Sequence, residues 1–130
     1  MTRILRNLAV LAAALLVSAP ALAGSASPIG QWQVATGEAR YKVTACGEGG
    51  NLLCAKLVWL APSERTEKNL ALLNTYVVRG AAAVDENKWT GNVVFNGHAY
   101  DGTMTLVSNN SMKLKGCSGM LCQTLEFTRI

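Results

Sequence analysis

Four cysteines and a single histidine are the side chains of this chain with the widest chemical reach. Seven residues separate Cys46 from Cys54 and four separate Cys117 from Cys122, each pair bracketing a glycine-containing turn. Thiols so placed could bind zinc, cycle as a redox pair or close disulfides. Zinc knuckles keep both pairs about two to four residues apart, and this chain does not. A thiol oxidoreductase would need Cys-x-x-Cys, which is missing. A catalytic relay or a His-based metal site would rest on His98 alone, and strand parity turns Asp101 to the opposite face. His98 ends an apolar strand beside a tight turn, which suits a rim residue with a satisfied ring. Paired carboxylates could hydrolyse glycosides, but Glu38, Glu48, Glu64, Glu67, Asp85 and Glu86 fall mostly in turns, where solvation is the default. No catalytic residue, metal ligand or cofactor is expected, and the chain reads as non-enzymatic.

The N-terminal residues decide which thiol chemistry applies. Arg3 and Arg6 precede an apolar run from Leu8 to Val17, then Pro20 and the small-residue site Ala21-Leu22-Ala23. That order is a secretory signal peptide over residues 1–23, cleaved after Ala23. The run is too short to span a bilayer, which takes about 20 residues, and residue 24 is Gly rather than the cysteine of a lipoprotein anchor. The expected product is residues 24–130, one domain, periplasmic or secreted, with no stable membrane anchor. In an oxidising compartment the cysteines form disulfides. Ten basic and eight acidic residues then remain, a net charge of +2. Scattered singly, they make a mixed-sign surface and exclude nucleic acid as a partner, which would call for a basic stripe.

Strands must position these groups. With Cys46 facing Cys54, Tyr41 faces Trp59, Val43 faces Leu57 and Ala45 faces Ala55, all on one face because side chains alternate. With Cys117 facing Cys122, Met112 faces Phe127, Leu114 faces Leu125 and Lys113 faces Glu126 on the other side as a cross-strand ion pair. Four cysteines allow three pairings; this sorting of apolar from polar favours Cys46–Cys54 and Cys117–Cys122. Between the clips, Asn96-Gly97 lies between alternating strands, a strong hairpin signal. If Phe95 faces His98, one face collects Trp89, Gly91, Val93, Phe95, His98, Tyr100, Gly102 and Met104. The turn Ser108–Ser111 continues that face into the last hairpin, placing Leu106 near Met112. A short helix or ordered loop is expected within 63–74, a strand near Tyr76–Val78, and a connector over 80–88.

About eight strands with one apolar face call for an all-β fold. A small antiparallel up-and-down barrel buries that face and removes its edges, with a two-sheet sandwich as the alternative. The barrel interior would be lined by Tyr41, Trp59, Trp89, Phe95, His98, Tyr100, Met104, Met112 and Phe127. Gly91 opposite Gly102 would leave room inside. Such a barrel is wide enough either to be packed or to hold one small ligand.

Gly30-Gln31-Trp32, Cys54-Ala55-Lys56-Leu57-Val58-Trp59-Leu60, Trp89-Thr90-Gly91 and the end Leu114–Cys117 through Phe127-Thr128-Arg129 together resemble the DUF2147 family. The resemblance covers nearly all of residues 24–130 and implies an exported bacterial protein with a lipocalin-like barrel. The chain departs from the family in its short Asn96-Gly97 turn and in a middle loop with Lys68-Asn69 but no Asp-x-x-Asn. In lipocalin-like barrels a Gly-x-Trp on the first strand closes the floor and a C-terminal basic residue covers the indole, so the resemblance assigns Trp32 and Arg129 as a floor pair. The functional expectation is a binding module for a small apolar or amphipathic ligand. The alternative is an envelope protein partner, for instance a wall-degrading enzyme to be inhibited, held by the clipped turns Gly47–Asn51 and Ser118–Leu121.

Overall fold

A computed structural model describes residues 26–95 and 97–130; the proposed signal peptide lies outside them. Eight strands follow one another around a closed barrel: β1 (Gly30–Val34), β2 (Ala39–Cys46), β3 (Leu52–Leu60), β4 (Tyr76–Asp85), β5 (Lys88–Phe95), β6 (His98–Ser108), β7 (Ser111–Ser118) and β8 (Leu121–Arg129). Every neighbouring pair is antiparallel. The last strand returns to the first, with Trp32 opposite Arg129 and Val34 opposite Phe127. Closure gives every described strand a partner on each side, although β1 and β8 meet over three positions only, and this buries a single apolar face without a second sheet. The fold is the all-β up-and-down barrel expected, not a sandwich.

From Trp89 onward the pairing is the one that alternation implies. Phe95 pairs with His98, Gly91 with Gly102 and Trp89 with Met104 across β5 and β6. Leu106 pairs with Met112, and Met112 with Phe127, Leu114 with Leu125 and Cys117 with Cys122 across the last hairpin. Lys113 and Glu126 sit 3.7 Å apart on the outer face, about half exposed, and so contribute little to stability.

The first hairpin departs from expectation by two residues. Tyr41 faces Leu57, Val43 faces Ala55 and Cys46 faces Leu52, while Cys54 lies opposite Thr44. The reason is the connection: Gly47, Gly49 and Gly50 all take positive φ around a short 3-10 turn, Glu48–Gly50, so β3 begins directly across from Cys46. A shift of two keeps every side chain on its face, and the disulfide simply runs diagonally between Cα atoms 5.9 Å apart. A bulge between Arg40 and Tyr41 then resets the far end, placing Trp59 opposite Arg40.

The region expected to be a connector is strand instead. β4 runs ten residues to Asp85, through Gly80 and three alanines, and only Glu86-Asn87 form the turn. Alanine and glycine are poor strand formers in isolation, but ladders on both sides hold the segment in place. The helix expected within 63–74 is α1 (Glu67–Leu70), begun by Thr66, whose hydroxyl accepts from the Asn69 amide at 3.2 Å.

Inside, Trp32, Val43 and Leu57 are fully buried, and Tyr41 meets Phe127 edge to face at 5.7 Å.

Candidate functional site

The two ends of the barrel are built differently. At one end, Trp32 is 0% exposed and its indole Nε1 donates to the Pro28 carbonyl at 2.8 Å. Arg129 lies over that ring, 4.3 Å from its centre. Its guanidinium also donates to the carbonyls of Asn109 at 2.7 Å, Ile29 at 2.9 Å and Ser27, tying the approach to β1 to the β6–β7 turn. Gly30 makes this possible: it holds φ +141°, and a Cβ there would come within 2.6 Å of the Arg129 Nη1. Trp32 and Arg129 thus close this end as a floor.

At the other end the interior opens. A cavity of about 620 Å³ runs between Val43, Leu57 and Met104 in its depth and Leu121, Gln123 and Leu125 at its mouth. Leu121 and Leu125 face inward on β8, yet they are 81% and 44% exposed, so the cavity communicates with solvent between β7, β8 and the loops beside them. Segment 61–75 contributes Glu64, Asn69 and Leu72 to the wall. Among the contacts that fix it, Arg65 Nε donates to the Leu60 carbonyl at 3.0 Å, Asn69 Nδ2 to that of Glu64 at 2.9 Å, and the Asn74 amide to that of Leu57 at 2.7 Å.

Of the residues expected inside, Tyr41, Phe95, Tyr100, Met104, Met112 and Phe127 line this cavity. Five do not. Trp59 is turned to the outer wall by the bulge at Arg40, whose guanidinium stacks 4.2 Å over its ring. Trp89 packs, half-buried, against the core without lining the cavity, and His98 stands exposed at the start of β6. Gly91 and Gly102 do face one another, but they create no room. A Cβ on Gly91 would meet the Ala81 Cα at 2.8 Å, and one on Gly102 would overlap Val93 Cγ2. These glycines are there for close approach of neighbouring chain, not to hollow the barrel.

Alternation could not reveal the polar part of the wall. Glu38 and Glu64 reach the cavity from loops that meet only in the folded barrel, the Ala61 amide donating to the Glu38 carbonyl at 2.8 Å. Tyr41 is 9% exposed, and burial, with the Glu38 charge in support, pushes its hydroxyl pKa up to about 12. The lining is mostly apolar, with Glu38, Glu64 and Tyr41 among its polar groups.

Both disulfides are formed, Cys46–Cys54 toward the floor and Cys117–Cys122 toward the mouth. The second clips a tip on which Met120 is fully exposed.

Comparison with known proteins supplies two likenesses. A family model, DUF2147, described as an uncharacterized protein conserved in bacteria, matches residues 30–129. A solved structure described as protein HP1028 from the human pathogen Helicobacter pylori, belonging to the lipocalin family, is similar in fold. Its TM-score is 0.62 at 12% identity, over 80% of this chain and 83% of that one. Among curated proteins, none matches in sequence.

Proposed function

This chain belongs to the DUF2147 family, and on that premise we propose that it is a non-enzymatic binding module of the bacterial envelope, holding one small apolar or amphipathic molecule. The observation that carries the reading is the cavity of about 620 Å³, mostly apolar in its lining, with exposed Leu121 and Leu125 at the end away from the Trp32–Arg129 floor. Ligand sites typically occupy about 300 to 1,000 Å³ with mostly apolar walls and a few polar groups. A lipocalin-like fold supports binding rather than catalysis. Export to the periplasm or beyond is supported by the two disulfides and by the charged, apolar and Ala-Leu-Ala order of residues 1–23.

The test is whether the cavity can be filled and blocked. N-phenylnaphthylamine, which fluoresces in apolar surroundings, should bind the folded protein. Gly116→Phe should abolish that binding while preserving the fold, because Gly116 lines the cavity and a Cβ there meets nothing nearer than 3.7 Å. Absence of probe binding, together with no co-purifying molecule in native mass spectrometry, would sink the reading.

A second reading is favoured by one feature, the clipped tip where Met120 is 100% and Leu121 is 81% exposed. A rigid apolar tip suits a protein partner because little ordering is needed on binding. An envelope partner lost by Met120→Ser with Leu121→Ser but kept by Gly116→Phe would point to the surface rather than the cavity.

A further inference from the structure

The cavity wall is unevenly charged. Among the described residues, the charged side chains lining it are Glu38 and Glu64, and no Lys, Arg or His lines it. The cations nearest in sequence are engaged elsewhere: Arg40 stacks on Trp59 and donates from Nε to Gln33 Oε1 at 2.9 Å, and Arg65 Nε is held by the Leu60 carbonyl. Neither carboxylate has an ion-pair partner among the described residues. Near Glu38 is Tyr41, a buried residue lining the cavity, whose hydroxyl makes no hydrogen bond to the described residues and keeps contact with solvent. A molecule that fills the cavity withdraws this hydroxyl from water and costs it a hydrogen bond unless the molecule supplies one.

From this geometry we infer, building on the binding reading above, that the ligand is a cationic amphiphile, with an apolar body in the barrel and a protonated amine at the mouth between Glu38, Glu64 and the Tyr41 hydroxyl. An apolar body alone would leave the hydroxyl unpaired. A carboxylate or phosphate head would place like charge against two glutamates, with no cation on the wall to compensate. The bias is local. Residues 24–130 carry a net charge of +2 and would, as a whole, slightly attract anions. A preference for cations therefore cannot come from overall charge.

The test uses the folded protein with N-phenylnaphthylamine in the cavity, displaced at neutral pH and below micellar concentrations by dodecylamine, dodecanol and dodecanoate. One chain length with three heads isolates the head group. Dodecylamine should displace the probe roughly tenfold more tightly than dodecanoate, a difference of about 1.4 kcal/mol. Glu38→Gln with Glu64→Gln should erase most of that gap while leaving dodecanol unchanged, the latter showing that the variant still folds and binds. Tyr41→Phe should weaken amine and alcohol alike. Dodecanoate binding as tightly as dodecylamine, or a gap that survives the double substitution, overturns the inference while the binding reading stands. Failure of the probe and of all three displacers to bind removes both.

Discussion

The floor and the mouth of this barrel obey the same alternation of inward and outward side chains, yet they end in opposite states. At the floor, inward-facing Trp32 is completely buried because Arg129 crosses it and donates to three carbonyls, two before β1 and one in the β6–β7 turn. At the mouth, inward-facing Leu121 is largely wet and Leu125 is partly so. Facing inward is therefore a property of a strand, whereas burial is a property of what crosses the end of the barrel. Stability is concentrated where the chain crosses over itself, and the space left at the other end is what a ligand can use.

The sharpest way to break this contrast is Trp32→Ala. Removing a fully buried aromatic side chain costs about 3 to 5 kcal/mol, and here the Arg129 stacking is lost with it. Thermal and urea unfolding should both show the loss. A midpoint left unchanged would mean that the floor does not hold the barrel shut.

Next in size is the response of Tyr41 to alkali. Its hydroxyl stays protonated in the fold to about pH 12 against an ordinary value of 10.0. Between those two pH values the folded chain binds the proton that the unfolded chain has lost. The stabilisation is thus complete below about pH 10 and declines as pH rises toward 12, by about 2 to 3 kcal/mol. Measuring unfolding free energy against pH for the wild type and for Tyr41→Phe separates this residue from other titrations. Across that window the wild-type curve should fall by this amount relative to the Tyr41→Phe curve, and parallel curves would mean that the hydroxyl is well solvated.

How much of this was legible follows from where the ladders are regular. From Trp89 to Phe127 the turns are short and the cysteine pair sits directly opposed, so alternation alone yields the pairing. In the first half, irregularities at Arg40/Tyr41, Leu53/Cys54, Ala55/Lys56 and Val78/Ala82 interrupt the ladders. A bulge changes which face a residue takes and leaves no mark on composition, which is why Trp59 reads as lining and stands outside. β4 was illegible for another reason, since Gly80 to Ala83 have no strand preference and acquire one only from both neighbours. The cavity itself was half legible. Six lining side chains follow from parity, but Glu38 and Glu64 come from loops that only closure of the barrel brings together.

The two clips sharpen the comparison further. Replacing Cys117 and Cys122 by Ala should cost about 2 kcal/mol, the amount a short closed loop contributes through the unfolded chain. Removing Cys46 and Cys54 should cost a similar amount, because that loop too is short. A markedly larger loss at the mouth clip, read by urea unfolding, would show that the mouth is held by folded-state packing after all.

The smallest effect on stability is the most informative about use. Leu121 is 81% exposed although its side chain faces the cavity. In the empty protein Leu121→Ser removes little buried apolar surface, so unfolding should change by less than about 0.5 kcal/mol. A bound apolar molecule changes the balance, since it would cover that side chain and withdraw it from water at about 25 cal/mol per Å². The same substitution should therefore weaken N-phenylnaphthylamine binding several-fold while leaving the unfolding midpoint in place. A stability loss above about 1.5 kcal/mol would instead place Leu121 in a packed wall. An unaltered probe affinity would mean that ligand enters without touching the clipped hairpin, and the contrast between a closed floor and a working mouth would have to be redrawn around segment 61–75.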